Sequence, residues 1–455
     1  AQVNKNSIAY DNCTGTGGFL ISAMKKMIKD AKGDKIKEQE IKSKQLIGTE
    51  YQSHIFALAV SNMYIHQDGK TNIINGSCFD EEVIEEVKAK KPTVGFLNPP
   101  YKSDKNELDF VLNNLECLVD GGTCIAIVPM ERALSKKGLT YELKKKLLEK
   151  HTLNAVLSMP NELFNDSKAN AVTSVLIFTA HRRHDNNVET YFGYYKDDGF
   201  IIKRKGRINV LGDWKTRLEK WVNYYKRGKE EAGFSVKKCI DANSEWCAEA
   251  YLETNYKILS VDNFKKKIKG YLSYLLTKPL NQDDINIDPA SKSKNSMVLE
   301  LQTDKWGYFN YKDIFVIKKG KRLTKEDQED GEIPYVSSSS LNNGVDNYID
   351  NGFTDENCLS FACYGSIGEI FYQKEKSWIS DNCNAIYLKN KKFTADIALF
   401  IATIMELEKI KFSYGMTAKK ERLSTFKIKL PAKNNQPDWE FMENFIKSLP
   451  YSSSL

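Results

Sequence analysis

Asp11-Asn12-Cys13-Thr14-Gly15-Thr16-Gly17-Gly18-Phe19 closes a short apolar run and opens an amphipathic one. Glycines in such a turn let the backbone bend sharply and approach a ligand that a Cβ would exclude. Outward from this loop, strand-like runs occur at residues 7–10, 45–49, 72–75, 93–97, 123–128, 154–158 and 173–179. Helical patterns lie between the early ones, at 18–29, 52–65, 107–119 and 141–150. Strand–helix alternation implies right-handed crossovers and a parallel sheet covered on both faces. No long helix separates the last two strands, so they are expected to pair antiparallel at an edge. The fold class is therefore α/β, with ligands expected at the carboxyl ends of the strands.

Two carboxylates flank the loop. Asp11, at the strand end, is suited to accept hydrogen bonds from a cationic amine. Glu50 ends the second strand, where it is placed to bind both hydroxyls of a ribose. A Gly-rich turn alone is weak evidence, because a purely structural turn looks the same. With Glu50 a nucleoside ligand is favoured, and both NAD and S-adenosylmethionine fit that description. The glycines fall as GxGG rather than GxGxxG, which suits a ligand without phosphate.

The 455 residues predict two to four domains at roughly 100–200 residues each. No apolar run approaches the ~18–20 residues that span a bilayer, and no charged-then-apolar leader opens the chain, so neither a membrane protein nor a secreted precursor is expected. Lys and Arg number 67 against 60 Asp and Glu, a net charge of +7 that tolerates an acidic partner without proving one. The nine cysteines include no CxxC pair and are expected as reduced, buried thiols. No metal is required. His181-Arg182-Arg183-His184 reads as a solvated basic turn, and residues 203–207 pack four cations into five positions.

Asn98-Pro99-Pro100-Tyr101 follows the fourth strand. An amine conjugated to an aromatic ring or a carbonyl is a poor nucleophile because its lone pair is delocalised. Two acceptors, the Asn98 side-chain oxygen and the Pro99 carbonyl, can hold its two hydrogens and favour pyramidalisation, turning the lone pair toward an electrophilic methyl. Two prolines fix φ and hold that carbonyl in place. Tyr101 offers a ring face to a base swung out of its duplex.

The loop 11–19, Glu50 and the tetrapeptide 98–101 resemble the cofactor and catalytic motifs of gamma-class adenine-N6 DNA methyltransferases. Residues 46–66, 121–130 and 157–178 are similar to the methylation subunits of type I restriction-modification systems. The resemblance implies a Rossmann-like S-adenosylmethionine-dependent methyltransferase sheet in a bacterial or archaeal, cytoplasmic, DNA-associated enzyme. It implies cofactor contacts from Asp11, Cys13, Gly15, Gly17, Glu50, Ser77 and Phe79. Phe164, in Pro160-Asn161-Glu162-Leu163-Phe164, becomes the second aromatic, after Tyr101, that packs on the extruded adenine. Three departures stand out. Asn12 replaces a usual Pro, and Ser77 replaces an Asp that bonds the cofactor's adenine amine. A Phe-Thr-Pro-type motif usual upstream of the loop is missing from a chain that starts at Ala1, which is expected to be a fragment without its natural N-terminus.

After residue 180 the texture changes. Residues 213–276 read mostly as helix, notably 214–226 and 263–276, and 281–296 looks like a linker. From 306 to 431 short apolar runs alternate with turn signals such as Asn343-Gly344 and Asn351-Gly352, the pattern of a strand-rich domain. Phe315–Arg322, Ile333–Ser337 and Tyr364–Gly368 resemble a target-recognition domain of type I specificity subunits. Within residues 318–325 five cations stand without an acid, and Lys318, Lys319, Lys321 and Arg322 are candidates to grip DNA phosphates. Lys419, Lys420 and Arg422 form another candidate patch. A solvated basic hairpin is the plain alternative. The expected domains are 1–235, catalytic; 236–300, a helical connector and linker; and 301–455, a strand-rich α+β target-recognition domain.

Together these features predict S-adenosylmethionine-dependent methyl transfer to adenine N6 in a specific double-stranded DNA sequence with one flipped adenine. A restriction or nuclease part is expected in another subunit or in a missing N-terminal portion. The alternatives are a methyltransferase acting on protein glutamine or RNA, and a non-catalytic DNA-recognition module with a vestigial methyltransferase domain.

Overall fold

A computed structural model describes residues 2–66, 72–101, 103–161, 163–164, 171–203, 206–277, 299–412, 416–450, 452 and 455, with Ile202 described by its backbone alone. The expected linker, 281–296, lies outside the described residues, as do Glu162, Arg204 and Lys205. Two compact units emerge, Ala1–Glu253 and Thr254–Leu455. Among the described residues no helix is long and apolar enough to cross a membrane.

The first unit is built on a mixed nine-stranded sheet. Its elements run β1 (Ala9–Asp11), α1 (Gly18–Ala31), α2 (Lys35–Lys44), β2 (Leu46–Glu50), α3 (Ser53–Ile65), β3 (Asn72–Asn75), α4 (Glu81–Ala89), β4 (Val94–Leu97), α5 (Glu107–Cys117), β5 (Thr123–Pro129), α6 (Met130–Leu134), α7 (Gly138–Lys150), β6 (Thr152–Ser158), β7 (Thr173–Thr179) and β8 (Glu189–Tyr194). A separate hairpin, β9 (Phe200–Lys203) and β10 (Gly206–Asn209), then precedes α8 (Trp214–Arg227) and β11 (Ser235–Cys239). The strand order is β11-β8-β6-β7-β5-β4-β1-β2-β3. β1 to β5 pair in parallel, as the alternation of strands and helices demands. β1 is buried along its whole length, the mark of a strand covered on both faces. Leu20, Met24, Met27, Ile41 and Met63 form one apolar cluster with the β1–β2 region. Leu97, Val111, Leu115, Val128, Leu147, Phe178 and Trp246 form another with β4 to β7.

β7 is antiparallel to both β5 and β6, as expected of the last two predicted strands. They are not at the edge, however: β8 adds in parallel to β6, and β11 adds antiparallel to β8. The helical reading of residues 213–276 holds for α8 and for residues 261–276, but residues 228–260 form β11 and irregular chain with two 3-10 turns. The segment expected as a connector is thereby divided, its first part completing the sheet. The basic turn also differs from expectation. Arg182 is exposed, but His184 is buried with Nε2 on the Ile240 carbonyl at 3.2 Å, and the His181 ring meets the Leu118 carbonyl at 2.8 Å. The cysteines are free, and all but Cys13 and Cys239 are buried.

The second unit comprises α9 (Val261–Thr277), β12 (Gly307–Asn310), α10 (Tyr311–Ile314), β13 (Phe315–Lys319), β14 (Asp330–Val336), β15 (Val345–Ile349), β16 (Cys358–Ala362), β17 (Ile370–Gln373), β18 (Trp378–Ile379), β19 (Cys383–Leu388), α11 (Ala395–Leu407), α12 (Lys420–Leu423), β20 (Lys427–Leu430) and α13 (Trp439–Lys447). An antiparallel sheet β13-β19-β16-β17 and a smaller sheet β15-β14-β18 make it the expected strand-rich α+β domain. α11 is buried from Ile397 to Met405 and meets α9 through Phe264 and Phe400, whose rings lie 5.0 Å apart. Asn343-Gly344 ends the connection of the β14–β15 hairpin, with φ of 54° and 81°. Asn351-Gly352 makes no hairpin, because β15 and β16 belong to different sheets.

Candidate functional site

The position of the glycine loop is set by register. Asp11 pairs with Gly48 on one side and Phe96 on the other, so Glu50 and Asn98 each emerge two residues beyond it and flank the loop. Gly15 and Gly17 take φ of +55° and +87°, a region costly for any residue with a Cβ. A Cβ at Gly18 would touch nothing within 4 Å, and one at Gly15 only the Cys13 carbonyl at 4.0 Å, so the space over these glycines is open. Gly48 is a glycine for a different reason. A Cβ there would stand 2.4 Å from Thr14 Oγ1, which itself donates to the Asp11 carbonyl at 2.8 Å.

Glu50 is engaged with the loop itself. Its Oε2 accepts from Gly15 N at 2.9 Å and its Oε1 from Gln52 N at 2.9 Å, so the carboxylate pins the loop while each oxygen keeps a second lone pair. Asp11 is 1% exposed. Its Oδ1 accepts from Cys13 N at 3.0 Å, and its buried Oδ2 has no hydrogen-bond partner among the described residues. Burial pushes this carboxyl up to about 7; the Cys13 N–H opposes the shift and Glu50 adds to it. An orphaned buried oxygen beside an open, glycine-lined cradle fits a ligand that brings a cationic amine.

After β3, Ser77 Oγ accepts from Phe79 N at 3.2 Å, and Ser77 N donates to Asp80 Oδ2 at 3.2 Å. A carboxylate therefore does stand at this turn, three residues later than the resemblance places it. Phe79 meets Phe110 edge-on at 4.9 Å, and Lys105 Nζ lies 4.6 Å from the Phe79 ring centre. The neighbouring Cys78 thiol, and then burial, push the Cys13 thiol up.

At the end of β4, Pro99 is buried while Asn98 and Tyr101 are half-buried. The Tyr101 hydroxyl donates to Asn98 Oδ1 at 3.0 Å. Burial, and secondarily Glu107, push that hydroxyl's titration up, so it stays a donor at neutral pH. Tyr101 and Phe164 come together with ring centres 6.0 Å apart and planes at 81°. Two aromatics distant in sequence thus meet beside Asn98.

Sequence reasoning missed the side chains that tie these segments together. Asn12 Nδ2 donates to Asn113 Oδ1 and to the Phe110 carbonyl, both at 2.9 Å. Asn113 Nδ2 reaches the Cys78 carbonyl at 2.7 Å. Asn114 Nδ2 reaches Asn12 Oδ1 at 3.3 Å and the Phe96 carbonyl at 3.2 Å. Two adjacent amides of α5 therefore hold the glycine loop, the turn after β3 and β4. Asn12, where a rigid Pro is usual, is held by this network instead. Gly95 makes it possible, since a Cβ there would fall 1.8 Å from Asn114 Oδ1. The available signals were glycines inside strand-like apolar runs, which mark close approach, and two amides within an apolar helix.

In the second unit the candidate DNA-contacting cations separate by strand alternation. Lys318 turns toward Asp355, with Nζ at 3.9 Å, and lies 4.5 Å from the Tyr387 ring centre. Lys319 turns the other way. Burial pushes the Cys363 thiol up to about 12, and the positive charges of Lys319 and Lys419 oppose the shift. Asn384, opposite Lys319 in the β13–β19 ladder, donates to the Ala418 carbonyl at 2.8 Å and so ties the second basic run to the first. Lys321 and Arg322 are exposed beyond β13, with the Lys321 carbonyl held by Trp378 Nε1 at 3.1 Å. Lys420 is exposed and Arg422 half-buried.

Comparison with known proteins accords with this division. Residues 1–109 and 102–254 match the N-6 DNA methylase family, and residues 303–450 match the type I restriction modification DNA specificity domain. The chain belongs to the N-6 DNA methylase family. It is similar to the type II restriction enzyme and methyltransferase RM.BcgI of Heyndrickxia coagulans, 32% identical over 284 residues that make up 60% of this chain and 43% of that protein. It is also similar to the specificity subunit S.BcgI of the same organism, 31% identical over 179 residues, 39% of this chain and 52% of that one. The chain thus spans about half the length of the curated relatives it matches. Among solved structures, a type I restriction-modification methyltransferase subunit from Streptococcus thermophilus gives a TM-score of 0.41 at 19% identity, covering 52% of each chain.

Proposed function

We propose that the chain methylates N6 of an adenine within a specific double-stranded DNA sequence, as the modification and recognition part of a bacterial or archaeal restriction-modification system. One observation carries this reading: Asn98 emerges at the strand end adjoining the open glycine cradle, two residues past the Asp11–Phe96 pair. S-adenosylmethionine, when bound, supplies an electrophilic methyl group on a sulfonium. Glu50 and Asp11 hold its ribose and amine, with Cys13, Gly15, Gly17, Ser77 and Phe79 lining the rest. The Asn98 side-chain oxygen and the Pro99 carbonyl accept the two hydrogens of the adenine amine and direct its lone pair. Pro100 stiffens the turn, and Tyr101 and Phe164 grip the extruded base. The cations of the second unit hold phosphates and fix register, leaving base identity to other contacts. Cleavage belongs to a nuclease part outside this chain.

The match of residues 303–450 to a DNA specificity domain favours DNA over protein glutamine or RNA. Incubation of the protein with labelled S-adenosylmethionine and mixed DNA, RNA and protein tests the reading. Label on adenine N6 at one short recurrent DNA site is the expected result. Label in protein or RNA, or site-specific DNA binding without transfer, overturns it.

A further inference from the structure

Below the aromatic loop sits a buried ion pair that methyl transfer does not use. Lys196 Nζ stands 2.8 Å from Glu249 Oε1, and the two side chains are 10% and 0% exposed. The other Glu249 oxygen accepts from Ser158 Oγ at the end of β6, and that hydroxyl also accepts from Ala248 N at 3.2 Å. Lys196 Nζ also donates to Asn161 Oδ1 at 3.0 Å. Asn161 opens the turn that carries Phe164, and Leu163 N closes back on the Pro160 carbonyl at 3.4 Å.

Two considerations say that this arrangement serves more than stability. A buried ion pair is often no more stabilising than apolar residues of the same volume, because both charges must be taken out of water. The connection it anchors, residues 159–172, joins adjacent antiparallel strands and is far longer than the ~2–5 residues such hairpins usually need. Its feet are fixed by the sheet, with Met159 N on the Thr173 carbonyl at 3.1 Å. The ladder does not hold Asn161. Lys196 does.

We infer that Lys196 and Glu249 are positioning residues for the target-base pocket: the carboxylate fixes the ammonium, the ammonium fixes Asn161, and Asn161 sets Phe164 against Tyr101. This rests on the reading of the site as an adenine methyltransferase. Neither residue touches base or cofactor, so the pair acts on base capture and not on cofactor binding.

The test uses the full-length chain and a duplex carrying 2-aminopurine at the adenine that the unmodified protein methylates, located by mapping methyl groups in treated DNA. Two variants probe the tie. Lys196→Met with Glu249→Leu replaces the pair by apolar side chains, and Asn161→Ala cuts the tie without disturbing the pair. Both are expected to lower kcat by about 10–100-fold, as a misplacement of about 1 Å does. The fluorescence rise on base extrusion should shrink in both, while S-adenosylhomocysteine binds within about twofold of the unmodified protein by calorimetry. Lys196→Arg, which keeps the charge, is expected to recover part of the fluorescence rise. If the apolar double variant does not fold, Asn161→Ala decides alone. Variants that keep the full fluorescence rise and full kcat overturn the inference and leave the reading of the site standing. An unmodified protein that methylates no DNA overturns that reading, and the inference with it.

Discussion

The Tyr101 hydroxyl donates a hydrogen bond to Asn98 Oδ1, the oxygen that the proposed function assigns to the adenine amine. On that proposal, the acceptor is held in place by the residue whose ring would receive the base. The incoming amine exchanges one neutral hydrogen bond for another, an exchange with little net free energy.

Substitutions at these two positions should separate the hydroxyl from the ring. Tyr101→Phe keeps the ring and is expected to leave kcat within about threefold. Tyr101→Ala should cost about 5–150-fold, a stacking loss of ~1–3 kcal/mol per base. Asn98→Ala is expected to abolish transfer while DNA binding, followed by gel shift, stays near that of the unmodified protein. Near-normal turnover in Asn98→Ala would show that another group holds the amine.

Asp11 predicts a pH dependence with a definite sign. Its carboxyl titrates near 7 because burial disfavours the charge, against ~3.9 for an exposed Asp. The stability tied to its proton is complete below about pH 4 and is lost as pH rises through 7. Asp11→Asn should escape that loss, gaining on the unmodified protein in urea midpoint between pH 5 and 8. A cofactor ammonium draws the equilibrium the other way. S-adenosylhomocysteine affinity is expected to fall as pH drops below 7, by at most about tenfold per unit, with proton release visible by calorimetry in two buffers. Both effects should vanish in Asp11→Asn; affinity independent of pH in the unmodified protein would remove Asp11 from the amine site.

The α5 amides predict a coupled pair. Gly95→Ala forces a methyl into Asn114 and is expected to destabilise by about 1–3 kcal/mol. Asn114→Ala strips a donor from Asn12 and from the Phe96 carbonyl, at a similar ~1–3 kcal/mol. The double variant makes room for the new methyl and should be less destabilised than the sum, by about 0.5–3 kcal/mol. Strict additivity of urea midpoints would mean that the two positions do not meet.

For DNA, Lys319→Ala with Lys419→Ala and Lys321→Ala with Arg322→Ala should each weaken binding at all sequences. Each should also reduce the salt slope by about 1 for every phosphate no longer neutralised. Lys318→Ala should change it less, since its ammonium already faces Asp355. An unchanged slope in a double variant removes that patch from the footprint.

The first half of the first unit was legible because its strands are short apolar runs separated by helices of clear period. β8 and β11 were not. Glu189–Tyr194 reads as a Tyr-rich polar stretch, and Ser235–Cys239 has only two apolar residues with lysines on its exposed end. Their strand character comes from the open edge left by β6, a tertiary effect. Asn98, Glu50 and the glycines were visible because their chemistry restricts the residue types. Asn113, Asn114, Lys196 and Glu249 were not, because a polar residue in an amphipathic stretch is ordinarily a solvated one. Here packing turned those four inward.

β7 runs against its neighbours. Had it been parallel, the chain leaving β6 would have crossed to the opposite rim, and no connection would stand beside Asn98. The reversal makes that connection a hairpin end whose length is nearly free to drift, since each doubling adds only about 0.6 kcal/mol of closure entropy. Natural variation can thus remodel the segment that carries Phe164 while the glycine loop, built on separate strands, stays unaltered.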